Sequence, residues 1–176
     1  MKSKLILTSV LSAFALTGVA SAQTGSGTLG VTATVQGSIN LTFVTDASGM
    51  AVTGTATSTA SLPFGNVSMY GGTLPGNVTK TINGVTSFDL STPFGVRVDL
   101  ANSASTTYTL TATLATADAT NVWSLGAIDI SAAAPHALTA AGVFATAVPY
   151  TLKIRVPASL AAGLISNSIN FTAVGG

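Results

Sequence analysis

The chain has 176 residues, with six lysines and arginines, five aspartates, no glutamate and no cysteine. Charged residues make up 6 % of the sequence and hydrophobic residues 47 %, whereas a typical charged fraction is about 25 %. This composition excludes a disordered chain and any disulfide, and it disfavours nucleic acid as a partner because there is no basic surface to bind phosphates.

Residues 1–22 have the pattern of a cleaved signal peptide. Lys2 and Lys4 precede a short apolar run that ends in Ala20-Ser21-Ala22, and a basic start followed by an A-x-A end is typical of secretion signals. The run is too short for a membrane span. Cleavage leaves about 154 residues, enough for one domain. The mature chain then has four basic residues against five aspartates, a net charge of −1.

The mature chain opens with the long alternation LGVTATVQGSINLTF, residues 29–43. Every odd position is apolar or glycine, which is the period of a β-strand with one buried face. The usual strand is about 5–6 residues long. Two interpretations follow: two strands joined at Gly37, or a first half, residues 29–35, that pairs outside its own sheet.

Shorter alternations with turn residues between them predict further strands along the rest of the chain. In order they cover 67–70, 78–82, 85–90, 94–101, 107–115, 123–131, 148–157 and about 165–174, with a weak strand or loop over 50–62 and a loop over 131–142. Asn83-Gly84 is a hairpin signal. Seven to nine strands rich in Val, Thr, Ile and Phe predict an all-β, immunoglobulin-like sandwich.

Groups that could carry chemistry are scarce. The single histidine, His136, lies in the predicted 131–142 loop, and no G-x-S-x-G sequence is present. We therefore expect no enzyme; a secreted hydrolase would depend on His136 alone. Scattered aspartates without metal-ligand spacing predict no metal site. Residues 25–30, GSGTLG, match G-x-G-x-x-G but lack a preceding strand and a following helix, so no cofactor is expected.

Three segments resemble fimbrial subunits: GVTATVQGSINLTFVTDASG (30–49), LPFGNVS (62–68) and AAGLISNSINFTAV (161–174). The first is similar to the N-terminal region of colonisation-factor-type major subunits, the alpha clade of chaperone–usher pilins, which also lack cysteine. The second and third look like turns and final strands of spore-coat-U-like and other fimbrial domains. The chain departs from many chaperone-recognised pilins in having no aromatic residue next to its C-terminus.

The resemblance implies an extracellular pilus built by donor-strand exchange, in which one subunit completes the sheet of the next. Residues 23–36 would be the extension, with Leu29, Val31, Ala33 and Val35 as the donor strand, and 37–176 the sandwich domain that lacks one strand. The implied partners are identical subunits, a periplasmic chaperone and an outer-membrane usher, with transit through the periplasm to the cell surface. The alternative is a self-contained secreted sandwich that serves binding or adhesion.

Overall fold

The computed structural model describes residues 30, 32–44 and 57–176. The predicted signal peptide, Leu29 and Val31 lie outside these residues. The chain divides into two compact units, Met1–Thr34 and Val35–Gly176. In the first unit, the described residues have no regular secondary structure. Among the described residues, no helix is long and apolar enough to span a membrane.

Eleven strands and no helix are found in the described part of the chain. They are β1 (Ser38–Val44), β2 (Asn66–Val67), β3 (Gly72–Thr73), β4 (Thr79–Asn83), β5 (Ser87–Ala101), β6 (Tyr108–Leu114), β7 (Val122–Leu125), β8 (Ile128–Ile130), β9 (His136–Gly142), β10 (Ala147–Pro157) and β11 (Ile169–Gly175). All strand pairs are antiparallel. The chain is therefore all-β, as the alternations predicted.

The strands form two main sheets that share one core. A six-stranded sheet has the order β1-β5-β10-β7-β8 with β4 also on β5, a three-stranded sheet has the order β11-β6-β9, and β2 and β3 form a separate hairpin. Every second residue of β5, β6 and β10 points inward because successive side chains of a strand alternate between faces. The buried core includes Val96 and Val98 from one sheet and Leu110 and Ala112 from the other.

β5 is 15 residues long and replaces the two strands predicted over 85–90 and 94–101. On one edge it pairs with β10 along most of its length. On the other edge β4 pairs as far as Ser91 and β1 starts at Gly95. Pro93 falls between them, where no ladder partner is present on that edge, so its missing N–H interrupts no pairing there. The break predicted between 90 and 94 is therefore absent from the sheet.

β1 begins at Ser38, immediately after the glycine that divides the N-terminal alternation. Ile39, Leu41 and Phe43 therefore lie in the chain's own sheet, which confirms this half of the prediction. A Cβ atom at Gly37 would lie 3.0 Å from the carbonyl oxygen of Asn102. The close approach to that turn explains why a residue without a side chain occupies the boundary.

Two other predicted segments differ from the structure. The single strand predicted over 123–131 is the β7–β8 hairpin, which turns at Gly126 with a φ of +61°. The loop predicted over 131–142 contains β9, whose pairing with β6 has register shifts. The Ala-rich sequence of β9 has no clear two-residue period, and tertiary pairing decides its conformation.

Two other strands have bounds that differ from the predicted ones. Only Val67 of the predicted strand 67–70 belongs to β2, because Ser68 N donates to Gly71 O at 3.3 Å and closes a turn. The last strand, predicted from about Ile165, is paired only from Ile169.

Candidate functional site

The inner face of the six-stranded sheet is apolar where β5 and β10 pair. In the register, Phe88 is opposite Val156. Leu90 is opposite Ile154 one step further along. All four side chains are buried. A groove of about 1140 Å³ lies over this surface and reaches Phe171 on β11; we call it the β11 groove.

β11 is one of the two edge strands of the three-stranded sheet. One edge of β11 pairs with β6 over all seven residues. Within the described residues, no strand pairs with its other edge. Ile169, Phe171 and Ala173 pack on the core. An unpaired strand edge carries backbone donors and acceptors that can bind another strand, so the groove borders a ready template for strand addition.

Aromatic side chains from three strands meet beside the groove. Phe43 of β1 packs edge-on against Phe171 of β11, with ring centroids 5.4 Å apart. Phe94 of β5 is 6.0 Å from the same ring. Such tilted and edge-on pairs add to the energy of apolar burial. The chain's own first strand therefore contacts β11 on the same side of the molecule as the groove.

Two segments without long strands line the rest of the groove: residues 57–69, which we call the cover segment, and the 158–168 loop. In the cover segment Ala60, Leu62 and Phe64 are half-buried and pack on the core, while the residues between them are exposed. From sequence alone, residues 57–62 are predicted only as the end of a weak strand or loop. The alternation of three apolar residues at 60, 62 and 64 is too short to identify a segment that lines a groove.

No charged side chain lines the groove in the described part of the chain. Its 34 lining residues, all in the described part of the chain, are apolar or carry neutral hydroxyl and amide groups; none is Asp, Glu, Lys, Arg or His. Most small-molecule sites place a few polar groups to orient a ligand. A long uncharged groove beside an open strand edge suits an extended apolar segment better.

Of the four predicted donor residues, Ala33 and Val35 lie among the described residues. Residues 32–37 form no strand. The side chain of Val35 is 73 % exposed. Residues 35–37 thus lead into β1 without pairing of their own.

His136 lies at the start of β9 rather than in a loop, and it is half-buried. Its Nε2 accepts a hydrogen bond from the backbone N–H of Ser131 at 3.2 Å and lies 3.1 Å from the hydroxyl of the same serine. Because an amide N–H can only donate, Nε2 is the acceptor in this hydrogen bond. The pair joins the end of β8 to the start of β9, which is a structural role.

Asp118 is a polar centre that its sequence context does not predict. Its Oδ1 accepts the backbone N–H groups of Thr120 and Asn121, both at 2.9 Å, and its Oδ2 accepts the indole N–H of Trp123 at 2.8 Å. Partial burial alone would raise the pKa of Asp118, but these hydrogen bonds outweigh it and lower the pKa to about 2. The spacing D-x-T-N-x-W carries the turn signal of an aspartate that binds the backbone two residues later.

No group of three or more His, Asp or Glu side chains suited to a metal ion occurs in the described residues. A comparison of the chain with models of protein families, with curated proteins and with solved structures finds no match. The geometry of the β11 groove is therefore the basis for inferring a function.

Proposed function

We propose that the chain is a non-catalytic structural subunit of an extracellular fibre, with an incomplete immunoglobulin-like sandwich. Residues 29–35 of one copy complete the three-stranded sheet of the next by adding a strand to the free edge of β11. The observation that carries the proposal is the combination of that open edge with an uncharged apolar groove running beside it. Strand addition uses both features, since main-chain hydrogen bonds and alternate side chains bind at once.

The donor sequence matches the groove in chemistry. Leu29, Val31, Ala33 and Val35 share one face of an extended chain and carry no charge, like the groove itself. Burial of Leu29, Val31 and Val35 would contribute roughly 1.5–3 kcal/mol each, and less for Ala33. Dissociation requires the whole ladder to break together, so the assembled state is also kinetically stable.

Chain geometry favours a second copy as the source of the donor. β1 is fixed by its pairing with β5 from Ser38 onward. Only Gln36 and Gly37 separate Val35 from that strand. Insertion of the chain's own residues 29–35 would need a full reversal within those two residues, and a tight two-residue turn prefers pairs such as Asn-Gly.

The test replaces one donor residue by aspartate and compares it with its neighbour. Val31→Asp puts a charge on the donor face, and burial of an unpaired carboxylate is costly; Thr32→Asp puts the same charge on the opposite face. We expect Val31→Asp to be secreted but to form no filaments by electron microscopy, and Thr32→Asp to form them. Normal filaments from Val31→Asp would overturn the proposal.

A second candidate is a self-contained sandwich that acts as a binding or adhesion module. The cover segment favours it, because residues 60, 62 and 64 already cover part of the groove within one chain. In that case the chain lacking residues 1–22 stays monomeric at high concentration in sedimentation experiments. Removal of residues 23–36 then leaves its melting temperature unchanged.

A further inference from the structure

We infer that the cover segment, residues 57–69, is a displaceable wall of the β11 groove, and that Lys80 holds it against the core. The inference rests on the proposed function for its consequence, since a donor strand can enter only when this segment moves. The placement of the cover segment depends only on contacts within one chain, so its opening can be tested without any donor strand.

The cover segment lines the groove and packs on the core, but residues 57–65 do not form a regular strand. Between Thr57 and Gly65 it has only single bridge positions, at Thr57 and Ser61, and the amide N–H of Phe43 donates to Thr57 O at 2.9 Å. A regular strand would pair at every second residue. Segments with few backbone hydrogen bonds and half-buried side chains open at low free-energy cost.

Lys80 fixes the far end of the cover segment. Its Nζ donates to the carbonyl oxygens of Ser68 at 2.9 Å and Gly71 at 2.8 Å, the first and last of the four residues between β2 and β3. Lys80 itself is placed by β4, where it lies opposite Leu90 of β5. One cation thus ties the β2–β3 turn to the six-stranded sheet.

The contacts of Lys80 are specific to the cover. Neither of the two ion pairs in the described part of the chain involves it. Hydrogen bonds from a cation are stronger than those between neutral groups, and this lysine makes both of its bonds to backbone atoms of one turn. Replacement by alanine should therefore free the turn and leave the two main sheets intact.

A chain without cysteine allows a single introduced thiol to report opening. Ala60→Cys places the thiol on the half-buried face of the cover segment, and Thr59→Cys places it on the exposed face one residue away. In the monomeric chain lacking residues 1–22, we expect a maleimide reagent to label Ala60→Cys at least about tenfold more slowly than Thr59→Cys. Equal labelling rates at positions 59 and 60 would show that the segment does not shield position 60 and would overturn the inference.

The role of Lys80 is tested by adding Lys80→Ala to each thiol variant. Labelling at position 60 should accelerate roughly tenfold, the effect of losing about 1.4 kcal/mol of closure, and labelling at position 59 should not change. Lys153→Ala is the matched control, because Lys153 lies on β10 away from the cover segment. An unchanged rate at position 60 in Lys80→Ala, or an equal acceleration in Lys153→Ala, would overturn the role of Lys80.

A synthetic peptide of residues 28–36 separates this inference from the fibre proposal. If the peptide binds and speeds labelling at position 60 to the rate at position 59, the cover is displaced by the donor. If the peptide binds and protects position 60, displacement is wrong. If the peptide does not bind although Lys80→Ala opens the segment, the inference about the cover segment and Lys80 holds and the fibre proposal fails.

Discussion

Asp118 and Trp123 show how one carboxylate organises a loop. The carboxylate binds two backbone N–H groups ahead of β7 and the indole of the only tryptophan. Trp123 in turn is buried beside Ile154 in the core. The loop is thereby attached to the core through charge-assisted hydrogen bonds, which are stronger than neutral ones.

Asp118 should make folding stability depend on acid pH. Its pKa falls from 3.8 to about 2 in the folded chain, so its contribution is complete above pH 3.8 and is lost as the pH falls through about 2. We expect Asp118→Asn to lower the free energy of unfolding by about 1–2 kcal/mol at pH 7, with a smaller difference near pH 2. Urea unfolding followed by Trp123 fluorescence measures it.

The exposed Asp99 provides the comparison for Asp118. It pairs with Arg97 two residues away on the same strand, and exposed ion pairs contribute about 0–1 kcal/mol. Asp99→Asn should therefore change stability little. Equal losses for Asp118→Asn and Asp99→Asn would contradict the role given to the loop hydrogen bonds.

Gly142 in β9 should tolerate no side chain. A Cβ atom there would lie 2.3 Å from Cζ of Tyr108, whose ring is 1 % exposed and has no room to move. We expect Gly142→Ala to destabilise the chain by about 1–3 kcal/mol through overpacking. Gly163→Ala, where the nearest atom is 4.0 Å away, should lie within about 0.5 kcal/mol of the wild type in thermal unfolding.

At the scale of strands, the two-residue period predicted what local pattern can determine. β6 and β10 follow it closely, and β1 begins where glycine interrupts it. β5 could not be predicted as one strand because Pro93 breaks most strands, and only the gap between β1 and β4 makes it acceptable. The strand character of β9 comes from its neighbour β6, which no local pattern shows.

The central pairing of β5 with β10 carries a cross-strand ion pair on its outer face. Arg155 Nε lies 2.8 Å from Asp89 Oδ1 and Arg155 Nη2 lies 3.1 Å from Asp89 Oδ2, and the hydrogen bond from Arg155 lowers the pKa of Asp89. A double-mutant cycle with Asp89→Asn and Arg155→Gln should give a small favourable coupling at pH 7, because solvent screens an exposed ion pair.

The sign of the pH effect follows from that lowered pKa. The coupling is present above the unfolded pKa of 3.8 and is lost as the pH falls through the lower folded value. The same cycle at about pH 2, measured by urea unfolding, should give a smaller coupling. A coupling that does not change in acid would show that the guanidinium stabilises the strands by packing rather than by charge.

At the scale of the whole molecule, the groove could not be predicted from sequence. It is formed by Phe88, Ile154 and Phe171, which are far apart in the chain and meet only through strand order. What the sequence did contain was the alternation of residues 29–35 and the scarcity of charge. These features suggested strand exchange as a hypothesis but did not identify the residues that would accept the donor strand.

The low charge makes a prediction for assembly. Net charge after loss of residues 1–22 is −1, and neither the groove nor the donor residues carry a charge. If the chain assembles as proposed, filament growth should therefore change by less than about twofold between about 20 and 500 mM NaCl, because screening acts only on charged groups. Light scattering measures the rate. A steep fall with salt would place the contact on the charged outer face instead.

The position of β1 determines how a fibre of this kind would carry load. Tension between subunits would enter each domain through the residues just before Ser38 and pull β1 along its own axis. β1 pairs with β5 through seven consecutive residues, so the pull loads these pairs in parallel, as shear, rather than one after another. The rate of rupture under force follows the barrier to breaking the ladder, and β5, held by β10 on its other side, passes the tension into the middle of the sheet.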